Sequence, residues 1–289
     1  VYLGHRRLKV VDISDGAQPM KTMDGGYIVT YNGEIYNADA LRMELQEQGI
    51  EFRGTSDTEV LLAALQTWGE SVLNRLVGMY SFALLDVQRQ QVLLARDPFG
   101  IKPLYWTCGR VGDEPIFVFA SEPGPLLQVP GVSRQADRRR VAEYLLGIDG
   151  GDLSSSFFAD IRALPPGHLI RIRVGDSGLP RVHRFWKLQA APTALTFDQA
   201  VKEVRSCFLD AVEKHLRSDV PLGVALSGGI DSSAILMAMR QIAGPHADLH
   251  AVSYLARGSS VNEEPWIDLI TKEAGAIRHD VLVQPEDLV

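Results

Sequence analysis

Long hydrophobic runs are absent from this sequence, and no stretch approaches the ~18–20 consecutive apolar residues of a membrane-spanning helix. Cysteine is scarce: Cys108 and Cys207 are the only two, too few for a disulfide framework, which predicts a protein of the reducing cytoplasm. Basic residues do not predominate, because 29 lysines and arginines stand against 36 acidic residues for a net charge of −7. We therefore expect neither nucleic acid nor a membrane as a partner.

The length and the hydrophobic content predict two domains. The chain has 289 residues, 46% of them hydrophobic, which is enough for two ordinary cores. Residues 1–188 combine short strands with two helices and so predict an α+β domain. Helices are predicted over 38–48 and 57–68, and strands over 8–11 with 13, 27–31, 80–86, 92–95, 104–107, 116–120, 169–174 and 182–186.

Residues 189–196 are typical of a linker, and the pattern changes after them. Residues 197–289 alternate helices of 10 residues or more with short apolar strands, which predicts an α/β domain with a doubly wound parallel sheet. The expected helices cover 197–216, 231–242 and 263–274, and the expected strands cover 222–226, 249–254 and 278–283.

A glycine-containing turn between the strand at 222–226 and the following helix predicts an anion site. Its sequence is Ser227-Gly228-Gly229-Ile230-Asp231-Ser232-Ser233. The glycines let backbone approach a ligand, and the hydroxyls join the N–H groups of the first helical turn around a phosphate. Asp231 could hold Mg²⁺ on that phosphate. No Gly-Lys-Ser/Thr follows, so a grip on departing pyrophosphate fits better than γ-phosphate transfer. An ordinary capped serine–glycine turn is the structural alternative.

Ordered motifs upstream of this turn point to one family. They are Gly4-His5-Arg6-Arg7-Leu8, Tyr31-Asn32-Gly33-Glu34-Ile35-Tyr36-Asn37, Ser56-Asp57-Thr58-Glu59-Val60 and Arg96-Asp97-Pro98-Phe99-Gly100-Ile101-Lys102-Pro103-Leu104-Tyr105. Together with the turn, they cover most of the chain. In their identity and order they resemble the glutamine-hydrolysing asparagine synthetases.

This resemblance implies a two-domain amidotransferase, an ATP-dependent carbon–nitrogen ligase of asparagine biosynthesis. The first domain would be an N-terminal-nucleophile glutaminase, a four-layer αββα sandwich. The second would be an ATP-pyrophosphatase domain of the adenine-nucleotide α-hydrolase type. Glutamine hydrolysis would release ammonia into an internal tunnel, ATP would activate aspartate as β-aspartyl-AMP, and ammonia would displace AMP to give asparagine.

The resemblance also assigns roles in the glutamine site. Arg7 would hold the glutamine α-carboxylate, and Glu34 and Asp57 would face the ammonium and amide groups. Asn32 and the N–H of Gly33 would form the oxyanion hole. The structural alternatives are a surface arginine, an Asn-Gly hairpin turn and a helix cap at Asp57.

The nucleotide site takes its residues from the second domain. The resemblance assigns ATP binding to Leu226, Ser227, Gly228, Gly229, Asp231, Ser232, Ser233, Val252 and Ser253, with Asp231 as the Mg²⁺ ligand. Asn262, Glu263 and Glu264 are interpreted as helix-capping residues.

The sequence departs from the family pattern in three respects. The nucleophilic amino-terminal cysteine is absent, and Cys108 and Cys207 are interpreted as packing residues. We therefore expect an internal piece of a longer protein, with both domains truncated and no activity by itself. The aspartate pocket would lie beyond residue 289. Assembly into a homodimer is an open alternative. Two prolines, Pro123 and Pro125, stand where the family begins a short helix.

Two other functions remain open at this stage. The β-lactam and carbapenam synthetases share both domains, and they close a ring within an adenylated substrate. A nucleotide-binding module without turnover is the non-enzymatic alternative. The presence of Arg7, Asn32 and Asp57 together favours a working glutamine site, because a protein without glutaminase chemistry has no physical need for this set.

Overall fold

The computed structural model describes residues 1–8, 12, 16–148, 151–176 and 178–282. The chain divides into two compact units, Val1–Ala190 and Ala191–Val289, which are described separately. Most of the strand predicted over 8–11 and 13, and the last residue of the one predicted over 278–283, lie outside the described residues.

The first unit mixes strands and helices, as predicted. Its elements are β1 (Met20–Lys21), β2 (Tyr27–Ile35), α1 (Ala38–Glu47), α2 (Asp57–Trp68), β3 (Gly78–Asp86), β4 (Gln91–Arg96), β5 (Tyr105–Val111), β6 (Glu114–Ala120), α3 (Pro123–Leu126), α4 (Arg138–Leu145), β7 (Arg162–Ala163), β8 (His168–Arg173) and β9 (Val182–Arg184). A 3₁₀ helix, Gly69–Asn74, follows α2. The strands form two antiparallel sheets, in the orders β1-β2-β3-β4-β8-β9 and β6-β5-β7.

Alternation along the strands of the larger sheet gives it two buried faces. Val29, Tyr31 and Ile35 of β2 pack with α1 and α2 in one core. Alternate residues of β3, β4 and β8 face the other way. They form a second core with Leu104, which directly precedes β5, and with Trp106 of β5. The larger sheet therefore lies between a helical layer and the smaller sheet.

Helix α2 shows why the local sequence signals hold. The side chain of Ser56 accepts a hydrogen bond from the N–H of Thr58, and Asp57 and Glu59 place negative charge in the first turn. Gly69 ends the helix at a φ of +58°, which a residue with a Cβ rarely adopts. The predicted bounds 57–68 are confirmed.

The second unit alternates helices with parallel strands. Its elements are α5 (Phe197–His215), β10 (Gly223–Ala225), α6 (Ile230–Ala243), β11 (His250–Leu255), α7 (Glu264–Ala274) and β12 (Ile277–Leu282). The strands pair in the order β10-β11-β12, and Val252 lies between Ala225 and His279. The predicted parallel sheet is confirmed for these three strands.

The two prolines that depart from the family pattern are compatible with a short helix, because α3 begins at Pro123, where a missing N–H costs no helical hydrogen bond. Two local predictions are wrong. Cys207 is exposed on α5 and is not a packing residue, whereas Cys108 is half-buried. The side chain of Glu263 makes no cap bond at α7, and Glu264 instead pairs with arginines.

None of the helices in the described part of the chain is both long and apolar enough to cross a membrane.

Candidate functional site

A pocket of about 910 Å³ in the first unit brings together residues that are far apart in the sequence. It is lined by the segment 4–8, by β2, by the start of α2 and by residues around Ser121. All five residues predicted for the glutamine site line it: Arg7, Asn32, Gly33, Glu34 and Asp57.

The register between β2 and β3 determines where the N–H of Gly33 points. Tyr80 lies opposite Gly33. The main-chain N–H and carbonyl of Tyr80 are both bonded to Asp97, which directly follows β4 on the other side of β3. The N–H of Tyr80 donates to Asp97 Oδ2 at 3.3 Å, and its carbonyl accepts from the N–H of Asp97 at 2.8 Å. Gly33 and Tyr80 therefore form a non-hydrogen-bonded pair, and the N–H of Gly33 points away from β3.

The neighbouring N–H groups on this edge of β2 are taken by side chains. The N–H of Tyr31 donates to Gln18 Oε1 at 2.6 Å, and the N–H of Ile35 donates to Asp57 Oδ2 at 3.0 Å. The N–H of Gly33 lies between them on the same edge. A carbonyl or oxyanion brought by a ligand can accept from it.

Asn32-Gly33 lies inside β2, so the hairpin-turn interpretation is wrong. At Gly33 an added Cβ would lie 2.1 Å from the carbonyl oxygen of Met79 and 2.7 Å from the Cα of Tyr80. Strand pairing at this position therefore requires glycine.

The side chain of Asn32 projects from the other face of β2 and contacts the smaller sheet. Its Nδ2 donates to Ser121 Oγ at 3.5 Å. Ser121 directly follows β6.

Asp57 is buried and joins α2 to β2. Its Oδ2 accepts from the hydroxyl of Tyr31 at 2.8 Å and from the N–H of Ile35 at 3.0 Å. The cap of α2 is Ser56, so the interpretation of Asp57 as the cap is wrong. Burial, and then the charge of Asp57, raise the pKa of Tyr31 well above its ordinary value, which keeps this hydroxyl a donor.

Arg7 is held beside the pocket by the main chain at Asp12. Its Nη2 donates to the carbonyl of Asp12 at 2.7 Å, and the guanidinium occupies the space that a Cβ on Gly16 would fill. The Asp12 carboxylate in turn accepts from the N–H and the hydroxyl of Thr55, both at 3.2 Å. Asp12 is thereby tied to the segment that leads into α2.

Two further titratable groups belong to this region. His5 Nδ1 lies 3.2 Å from Thr30 Oγ1, and burial, followed by the charge of Arg7, lowers the pKa of His5. Glu34 is half-buried. Burial, followed by the charge of Glu34, raises the pKa of Tyr36 to about 12.

In the second unit, the serine–glycine turn joins β10 to α6. The N–H of Leu226 donates to the carbonyl of Val252 at 2.8 Å, which extends the strand pairing to the start of the turn. Ser227 Oγ then lies 3.1 Å from Ser232 Oγ and accepts from the N–H of Gly229 at 3.3 Å. These hydroxyls bond to one another, and the same groups can bond to an anion.

Gly228 packs against the first turn of α7. Its φ is +82°, and an added Cβ would lie 2.8 Å from the Cβ of Trp266 and 3.1 Å from the N of Ile267. The N-terminal ends of α6 and α7 are thus both near this turn, and both helix dipoles favour negative charge there. Among the described residues, the buried Oγ atoms of Ser233 and Ser253 have no hydrogen-bond partner.

Asp231 is the acidic residue of the second unit that is predicted to hold Mg²⁺. Asp231 is exposed in the first turn of α6. The described residues contain no group of three or more histidine, cysteine or acidic side chains that could hold a metal ion. One carboxylate fits Mg²⁺ only where substrate phosphates and water complete the six ligands, which is its usual arrangement on nucleotides.

Two known families match this chain, and the boundary between the two matches lies close to the boundary between the two compact units. Residues 1–186 match the family described as a glutamine amidotransferase domain. The chain belongs to this glutamine amidotransferase family. Residues 203–289 match the asparagine synthase family, and together the two matches confirm the resemblance to glutamine-hydrolysing asparagine synthetases.

Curated relatives carry both regions in longer chains. The glutamine-hydrolysing asparagine synthetase 3 of Bacillus subtilis (strain 168) is 36% identical over 307 residues, which cover 100% of this chain and 48% of the relative. Asparagine synthetase B of Escherichia coli (strain K12) is 36% identical over 233 residues, covering 81% of this chain and 36% of the relative. The chain therefore spans half or less of the length of these relatives.

A solved structure of a glutamine phosphoribosylpyrophosphate amidotransferase from B. subtilis is 17% identical and covers 94% of this chain and 74% of that one. Its TM-score is 0.42.

Sequence reasoning missed three polar residues of this glutamine amidotransferase unit. Gln18 binds the N–H of Tyr31, Ser121 contacts Asn32, and Asp97 bonds both main-chain groups of Tyr80. Asp97 lies in one of the family motifs, and Ser121 lies just before Pro123 and Pro125. Gln18, Asp97 and Ser121 lie 13, 17 and 89 residues along the chain from their partners, and the sequence gives no signal of these three contacts.

Proposed function

We propose that the full-length protein is a glutamine-hydrolysing asparagine synthetase. It would convert ATP, aspartate, glutamine and water to AMP, pyrophosphate, asparagine and glutamate, through β-aspartyl-AMP and channelled ammonia. The observation that carries this proposal is the pocket of the first unit, which combines an outward-pointing N–H at Gly33 with Asn32, Arg7 and Asp57.

Glutamine would bind with its ends matched to opposite charges. The planar guanidinium of Arg7 suits the α-carboxylate, and the carboxylates of Asp57 and Glu34 suit the ammonium and amide groups. Because Oδ2 of Asp57 is already bonded to Tyr31 and Ile35, its position is set before a ligand arrives. Such preorganisation lowers the cost of ordering the site on binding.

The side-chain amide of glutamine would be hydrolysed at the edge of β2. As the attacking thiol adds to the amide carbon, negative charge develops on the oxygen, and the N–H of Gly33 and the amide of Asn32 would stabilise it. Neither Cys108 nor Cys207 lines the pocket. The proposal therefore assigns the thiol to a residue outside these 289, as in the family.

The second unit would bind ATP and form the adenylate. Ser227, Gly228, Gly229, Ser232 and Ser233 would surround the departing pyrophosphate, with two helix N-termini favouring its charge. Leu226, Val252 and Ser253 would meet the rest of the nucleotide. Asp231 would hold Mg²⁺, which when bound neutralises phosphate charge and orients the leaving group.

The same proposal includes the architecture of both domains, the location of the protein and its oligomeric state. We infer that residues 1–188 belong to a four-layer αββα sandwich, that residues 189–196 are a linker and that residues 197–289 belong to a doubly wound sheet, with both domains truncated in this chain. A cytoplasmic location and a homodimer complete the proposal. The division of the chain near residue 190 supports the linker position.

The test supplies the full-length protein with aspartate, Mg-ATP and either glutamine or ammonium, and follows asparagine and AMP by mass spectrometry. Asparagine should form from both nitrogen sources. Arg7→Ala and Asn32→Ala should weaken only the glutamine route, and the exposed Arg53→Ala should leave both routes unchanged. Formation of AMP without asparagine would instead point to a ring-closing ligase, and nucleotide binding without pyrophosphate release to a binding module.

A further inference from the structure

We propose that Ser121 is a positioning residue that orients the carboxamide of Asn32 toward the reacting amide oxygen of glutamine. The proposal rests on the proposed glutaminase function and deepens it. The sequence alone gives Ser121 no role in the chemistry.

The contact joins the two sheets of the first unit at the pocket. Asn32 lies in β2 of the larger sheet, and Ser121 follows β6 of the smaller sheet, 89 residues later. Asn32 Nδ2 donates to Ser121 Oγ, and both residues line the pocket. The seryl oxygen is therefore held by one sheet beside an amide that is held by the other.

Orientation matters because the two ends of a carboxamide have opposite effects on an oxyanion. The Nδ2 end donates hydrogen bonds, whereas the Oδ1 end would repel negative charge. The two ends have nearly the same size, so packing alone selects weakly between them. With one N–H of Nδ2 directed at Ser121 Oγ, the second N–H of the same nitrogen remains to serve the substrate.

The N···O distance of 3.5 Å is long for a hydrogen bond. Catalytic hydrogen bonds are often long in ligand-free sites and shorten as charge develops. A carboxamide turned the other way would face the oxygen with its Oδ1, and the cost of that orientation grows as negative charge develops on the oxygen. The effect of Ser121 is therefore greater in the transition state than in the bound substrate, and it should change kcat more than KM.

Substitutions should separate this role from a structural one. Loss of one neutral hydrogen bond predicts a roughly three- to tenfold lower kcat for glutamine hydrolysis in Ser121→Ala. The KM for glutamine and the ammonium-dependent rate should not change. Ser121→Thr keeps the hydroxyl and should restore most of the rate. Ser71→Ala removes an exposed hydroxyl bonded to a main-chain carbonyl and serves as the control.

A double-variant cycle gives the decisive reading. Asn32→Ala removes the donor itself and should lower kcat by about 10²–10³-fold. If Ser121 acts through Asn32, adding Ser121→Ala to Asn32→Ala should cost nothing further. Thermal unfolding of each variant, measured alongside, should match that of the unaltered protein.

Several results would overturn the inference. An unchanged kcat in Ser121→Ala, additive losses in the double variant, or equal losses in the glutamine and ammonium routes would each exclude a positioning role. If Asn32→Ala lowers glutamine hydrolysis and Ser121→Ala does not, only this inference fails. If the unaltered full-length protein hydrolyses no glutamine, the proposed function fails, and this assignment fails with it.

Discussion

The buried carboxylate of Asp97 should be among the most sensitive positions of the first unit. The side chain is fully buried. Its Oδ1 accepts from the N–H groups of Phe99 and Ile101, both at 3.0 Å, and its Oδ2 accepts from those of Lys102 at 3.0 Å and Tyr80 at 3.3 Å. Four backbone donors from a loop and a strand thus depend on one side chain.

The size of the effect follows from those four donors. Each buried N–H left without an acceptor costs about 1–3 kcal/mol, so Asp97→Ala should lose at least about 4 kcal/mol. Domains are stable by only about 5–15 kcal/mol, so this variant should be largely unfolded or close to it. Asp97→Asn keeps one oxygen but turns an NH₂ group toward two of the donors, and should lose about 2–6 kcal/mol.

Urea unfolding followed by tryptophan fluorescence would measure these losses. A Trp266→Phe background leaves Trp68, Trp106 and Trp186 as reporters, and all three lie in the first unit. Asp113→Ala removes an exposed carboxylate and is the matched control. A loss below about 1 kcal/mol in Asp97→Asn would refute the reasoning, because it would mean that water or backbone movement satisfies the two donors that face the NH₂ group.

Three other predictions concern the two sites. Gly33→Ala should destabilise the first unit by about 1–3 kcal/mol in the same urea assay, because its Cβ would collide with Met79 O; an unchanged midpoint would contradict the pairing. Gly228→Ala should weaken Mg-ATP binding in calorimetry, since φ is +82° and Trp266 leaves no space, whereas Gly178→Ala, in open space, should not. The pKa of His5 is lowered below 6.5 in the folded state, so its contribution to stability is complete above that value and is lost as pH falls through the folded pKa. His5→Asn should therefore reduce the fall in Tm between about pH 7.5 and 5.5, and an identical fall would exclude His5.

Local patterns predicted the elements well where one short segment decides the structure. Helix α2 follows from Ser56, an acidic first turn and Gly69, all within its own segment. Helix α5 extends over Phe197–His215, close to the predicted range, because Thr196 and Gln199 form a capping box before an amphipathic stretch. The interpretation of Glu263 and Glu264 as capping residues of α7 is wrong. Glu263 makes no side-chain cap bond, and the carboxylate of Glu264 pairs with Arg257, which precedes the helix.

The candidate glutamine site was predicted as a set of residues and not as an arrangement. The motifs named Arg7, Asn32, Gly33, Glu34 and Asp57, and all of them line one pocket. The direction of the Gly33 N–H could not be predicted, because it depends on strand register. A shift of one residue would turn that N–H toward β3.

The sequence by itself determined the division into two units, the types of the predicted helices and strands and the family, because these depend on periodicity, caps and short ordered motifs. The tertiary structure alone decided that Asn32 contacts Ser121, 89 residues away, and that Asp97 supports the strand opposite Gly33. These contacts arise where strands pair and sheets pack, between segments whose own sequences do not specify each other. The arrangement of the candidate site therefore depends on packing between distant parts of the chain.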